Sequence, residues 1–176
     1  MTSRITHATP ATFAAHVHDR DKEANIALQI IGHAHPLGRT VDVLLGGGRS
    51  FFTPQSAPGS ERKDDVDALQ LARGLGYKVF SDRRSFDANR PRLPYLGLFA
   101  DDHLAYEVDR DPAKEPSLKE MALRALDDLH AATRHSKRGF FVMVEASRID
   151  HAGHANDPVG RPSPFPRPFP ATATVS

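Results

Sequence analysis

The sequence has no cysteine, which excludes disulfides and thiolate metal ligands while leaving the cellular compartment open. Nor is there an excess of positive or negative charge. There are 23 basic and 22 acidic residues, for a formal net charge of +1, and no basic cluster is interleaved with aromatics, so nucleic-acid binding has no support. No apolar run approaches the roughly 20 residues needed to span a bilayer. The opening Met1-Thr-Ser-Arg lacks the pattern of a signal peptide, so membrane contact has no support either. Internal repeats are absent. What is present fits a soluble globular chain: 176 residues, 39% hydrophobic and 26% charged, long enough for one domain with a real core.

Short apolar runs alternate with helical patterns, which predicts an α/β fold with a mainly parallel sheet. Residues 41–45 read as a buried strand, followed by Gly46-Gly47-Gly48, where the backbone can turn sharply or pack closely. That glycine run has neither dinucleotide-loop spacing nor a Gly-Lys-Ser/Thr ending, so it is not read as a phosphate cradle. A helix is expected over 63–73, then strands over 77–80 and 95–100. Ser117-Leu-Lys-Glu120 is a capping box, and Leu118, Met121, Ala122, Ala125, Leu126 and Leu129 form one apolar stripe behind it.

The most informative stretch runs from Gly139 to His154. Residues 140–144 are continuously apolar, as in a strand buried on both faces, and Glu145 stands where such a strand would end. A helix beginning near Arg148 would put Asp150 and His154 on one face, one turn apart, where one ion could touch both opposite Glu145. Taken alone, Asp-x-x-x-His reads as a helix cap and a surface histidine. Its context reverses that reading. The string Val-Glu-Ala-Ser-Arg-Ile-Asp-His-Ala-Gly-His-Ala-Asn-Asp closely resembles the metal-binding signature of the alkaline phosphatases. The resemblance implies that Glu145 binds magnesium and that Asp150 and His154 bind one of two zinc ions, a division that suits hard carboxylate oxygen and mixed oxygen–imidazole donors respectively. His151 matches a position that is histidine in some members and lysine in others, which implies a supporting or phosphate-side group.

A second resemblance to the same family lies in Thr6-His-Ala-Thr-Pro-Ala-Thr-Phe-Ala-Ala-His-Val-His-Asp-Arg20. Locally this is a helix start, with Thr9 as N-cap and Pro10 at the first helical position. In the family the residue matching Thr9 is a magnesium ligand. The residue matching His7 is aspartate in bacterial members and histidine in many eukaryotic ones; an imidazole there implies weaker or water-mediated magnesium binding. Arg20 matches the arginine that grips the substrate phosphate, a task suited to a guanidinium giving two parallel hydrogen bonds. A continuous helix would hold Arg20 about 16 Å from Thr9 at ~1.5 Å per residue. A break is therefore expected between Val17 and Arg20, with Asp19 and Asp21 flanking the guanidinium. His103 falls in a family-like segment without a derivable role, and His16, His18, His33, His35, His130 and His135 belong to no motif.

The chain divides into an alkaline phosphatase-like domain over 1–157 and a tail over 158–176. Six prolines, at 158, 162, 164, 166, 168 and 170, preclude a helix in the tail and predict that it does not pack on the domain. It reads as a truncated or misread end, with a ligand for an SH3-like domain as the functional alternative. The resemblance implies a partial three-layer αβα sandwich, Zn2+ and Mg2+ as cofactors, a phosphate monoester substrate and a homodimer for the whole protein. It also implies vacuolar, periplasmic or cell-surface location. The nucleophilic serine and the remaining zinc ligands of the family match no segment here, so this chain alone is expected to be inactive. A non-catalytic metal-binding or interaction module of the same ancestry is the alternative function.

Overall fold

A computed structural model describes residues 1–88 and 92–157 of the protein; the Pro-rich tail, and the prediction that it does not pack, lie outside the described residues. Three strands form one parallel sheet: β1 (Val43–Gly46), β2 (Lys78–Phe80) and β3 (Tyr95–Leu98), in the order β1-β3-β2. Leu44 and Val79 both sit beside Leu96, so the register lines up apolar side chains across all three strands. Alternation then sends side chains to two faces. Leu44, Leu96 and Leu98 pack with α1 (Ala8–Ala14), α2 (Glu23–Ile30) and α3 (Ala68–Gly74). Leu45, Phe80 and Tyr95 turn the other way, toward Phe86 of α4 (Arg83–Ala88) and Met121 of α5 (Leu118–Thr133). Helices on both faces of a parallel sheet make an α/β, three-layer αβα arrangement. The last helix, α6 (Ser147–His154), follows an extended segment.

The glycine run works by close approach. A Cβ on Gly46 would overlap the Thr2 carbonyl, and one on Gly47 would overlap the carbonyls of Asp102 and Ser3. Residues 2–5 and 102–104 therefore cross the end of β1 at backbone contact. Gly47 exchanges hydrogen bonds with this strip, donating to Ser3 at 3.0 Å and accepting from Ile5 at 3.3 Å. Leu104 donates to Ser3 at 2.8 Å.

Two expected elements differ. The helix expected from 63 begins only at Ala68, where Asp67 caps it by accepting from the Gln70 N–H. The preceding residues are held elsewhere, because Arg62 is drawn into the interior. Its guanidinium forks onto Asp64 at 2.7 and 2.9 Å, and donates to the carbonyls of Ala24 and Phe51. The larger correction concerns 140–144, which is extended but is no strand of the sheet. Among the described residues only Met1 pairs beside it, through its amine to Met143 O at 2.8 Å and its carbonyl from Glu145 N at 2.9 Å. Two bonds do not make a ladder. Phe141 is consequently 68% exposed rather than buried.

Candidate metal and phosphate site

Three histidines from distant parts of the chain meet at the edge where the strands end. His7 precedes α1 in extended conformation, His103 lies in the loop after β3, and His151 rides on α6. Ring centroids are 4.6 Å apart for His103–His151 and 5.4 Å for His7–His103. One ring nitrogen from each lies within 4.8 Å of the others. Ser3 Oγ touches His103 Nδ1 at 2.8 Å and is itself held by Ser147 Oγ at 2.5 Å. Arg148 donates to His151 Nδ1 at 3.1 Å and to the Leu104 carbonyl at 2.6 Å, stacking over Tyr106.

The electrostatics favour neutral rings. Burial, then the charges of Arg4, His151 and Arg148, bring the His103 pKa down to about 3. His7 is lowered by burial and by Arg4 and Arg20, and His151 by burial and Arg148. Neutral imidazoles keep a lone pair for a cation or a donor.

Arg20 reaches this cluster. Its Nη2 donates to His7 Nε2 at 2.9 Å, which requires the chain to double back after α1. The helix ends at Ala14, earlier than the expected break after Val17, and Ala15 is extended and buried. Among the described residues no hydrogen bond or ion pair joins Asp19 or Asp21 to the guanidinium; Asp19 Oδ1 instead accepts from the Asp21 N–H at 3.0 Å and closes the local turn. Thr9 is not the N-cap. His7 holds that place, so Thr9 is the second helical residue and exposed, and Pro10 is third. A proline there still costs nothing, because first-turn N–H groups have no helical acceptor.

Glu145 Oε2 accepts from Thr2 Oγ1 at 2.7 Å, so the carboxylate is pinned to the strip that crosses β1. Asp150 and His154 do share a face of α6, with Oδ2 and Nε2 3.5 Å apart. They are not among the residues that line the cavity beside Glu145. Their side chains are 75% and 82% exposed, while the cavity beside Glu145 is lined by Thr2, Ser3, Leu104, Ser147 and Arg148. His103 belongs to no motif that marks it in the sequence as a site residue. The available signal was its position just past the carboxyl end of a parallel strand, where ligands gather.

The alkaline phosphatase family model matches residues 1–163. The chain belongs to the alkaline phosphatase family. It is 46% identical over 175 residues to the repressible alkaline phosphatase of Saccharomyces cerevisiae, covering 92% of this chain and 31% of that protein. The crystal structure of Thermus thermophilus alkaline phosphatase matches with a TM-score of 0.76 at 38% identity, over 91% of this chain and 31% of that one. A TAB5 alkaline phosphatase variant, with aspartate in place of a histidine and magnesium bound in its M3 site, matches with a TM-score of 0.67 at 29% identity, over 91% of this chain and 41% of that one. This alkaline phosphatase family chain thus spans about a third of the length of the yeast relative.

Proposed function

We propose that this chain is part of a metal-dependent phosphomonoesterase that acts through a phosphoserine intermediate, with the nucleophilic serine contributed from outside these residues. The observation that carries the reading is the return of Arg20 to His7, which gathers a guanidinium and three imidazoles at the edge where the strands end, with Glu145 near enough for its charge to act on His7 and His151. A planar guanidinium there can give a phosphate two parallel N–H bonds. His151, seated against Arg148, is read as a group on the phosphate side.

The donor chemistry fits the metals that the family reading calls for. Two ligand atoms on a tetrahedral zinc ion with bonds of ~2.0–2.1 Å stand about 3.4 Å apart. Asp150 Oδ2 and His154 Nε2, at 3.5 Å, are already at that separation. Glu145 and Thr9 are assigned to magnesium, whose preference is for hard oxygen, and the neighbouring His7 meets that ion only through water because its donor is nitrogen. When bound, such ions stabilise charge on the transferring phosphoryl group and on the attacking oxygen. The chain's own part is to hold that phosphate on Arg20 and to keep the donors in register through the Thr2–Glu145 and Ser3–Ser147 contacts.

The test is a phosphomonoesterase assay on the protein encoded by the full reading frame containing this sequence. Activity is expected, with Arg20→Ala and Asp150→Ala each lowering kcat/KM by about 100-fold or more. The 176-residue chain alone is expected to turn over no faster than a metal blank, because two ligands bind an ion weakly and no serine forms the covalent intermediate. Undiminished activity in both variants overturns the assignment.

A further inference from the structure

We propose that His7, His103 and His151 form a binding site for a divalent ion of the zinc class, separate from the Asp150–His154 pair. Three separate segments of the chain deliver these rings to one point, and one nitrogen from each lies within 4.8 Å of the others. Three imidazoles on a zinc ion need nitrogens about 3.4 Å apart, so side-chain movements of about 1 Å close the site. The donor set is all nitrogen. Magnesium demands oxygen, whereas imidazole suits zinc, cobalt, nickel and copper, so the cluster discriminates between the two classes of ion.

His103 is the residue that makes the site. Its Nδ1 is anchored at 2.8 Å to Ser3 Oγ, which Ser147 holds in turn. In the tautomer that donates to Ser3, Nε2 carries the lone pair and faces away from that anchor, the arrangement in which a ligating histidine is oriented through its second nitrogen. His7 and His151 are engaged differently, accepting from Arg20 and Arg148. A neutral imidazole has one acceptor nitrogen, so an entering ion takes that lone pair from the arginine or shifts the ring proton. The inference stands without the phosphatase reading, since it concerns binding alone.

The test uses Co2+ as a spectroscopic probe on the whole chain carrying Asp150→Ala and His154→Ala, which removes the other candidate pair. One bound Co2+ with visible d–d absorption is expected, displaced by Zn2+ and untouched by excess Mg2+. Adding His103→Ala is expected to weaken Co2+ binding about tenfold or more. Unchanged Co2+ affinity in that variant, no absorption in its parent, or displacement by Mg2+ overturns the site. Because a variant can fail to fold, the unaltered chain is also titrated with Zn2+ while imidazole nitrogen resonances are followed. Shifts at His7, His103 and His151 support the site, and shifts confined to His154 overturn it.

Discussion

Glu23 takes two cationic and hydroxyl partners almost out of water. Its Oε1 pairs with Arg4 at 2.8 Å and its Oε2 accepts from Thr6 Oγ1 at 2.6 Å, with only 9% of its side chain exposed. Burial raises its pKa, and the Thr6 and Arg4 contacts oppose that rise. Arg4 also pairs with Asp102, next to His103, so the network ties the strip under the histidine cluster to α2. Removing the carboxylate leaves a nearly buried guanidinium short of a partner. Glu23→Ala is expected to lower unfolding stability by about 3 kcal/mol, measured by urea denaturation, with Glu23→Gln costing less because it keeps the Thr6 contact. Equal stability of the alanine variant and wild type would sever Arg4 from the support of the site.

At the scale of single elements, α5 carries the clearest pH dependence. Ser117 and Glu120 form a capping box, and Glu120 Oε1 also meets Arg83 of α4 at 2.8 Å. Burial works to raise the Glu120 pKa, yet the hydrogen bonds from Arg83 and Ser117 outweigh it and hold the carboxyl at about 2. A depressed carboxyl stabilises the fold above its unfolded pKa, near 4.5, and that stability disappears as the pH falls through about 2. Wild type is therefore expected to lose unfolding free energy between about pH 5 and about pH 2, and Glu120→Gln to show a flatter profile over the same range. Parallel profiles would mean the carboxylate contributes nothing to α5. This box was legible in the sequence because every atom of it lies within four residues. So was the Asp150–His154 spacing, which helical periodicity alone fixes. The strand expected at 140–144 was not, because apolar character reports the wish to be buried and says nothing of which neighbour is there to pair; among the described residues that neighbour is Met1 alone.

For the molecule as a whole, the α/β class and the parallel sheet followed from pattern and family resemblance. Residues matched by string resemblance are local. The histidine cluster is not, since His7 and His151 are brought to His103 by a glycine run that lets residues 2–5 cross β1 at backbone contact. No spacing rule encodes a meeting across that distance in sequence. The same holds for Arg20, whose return to His7 depends on α1 stopping at Ala14 so that Ala15 can be buried. The alkaline phosphatase reading of this chain therefore rests on geometry as well as on strings.

The most direct test is a crystal structure of the chain soaked with Zn2+ and inorganic phosphate, with data collected on both sides of the zinc absorption edge. An anomalous peak bonded to Asp150 and His154 is expected, with phosphate oxygens within hydrogen-bond distance of the Arg20 guanidinium. Zinc absent from Asp150 and His154, together with phosphate lodged away from Arg20, would contradict this assignment.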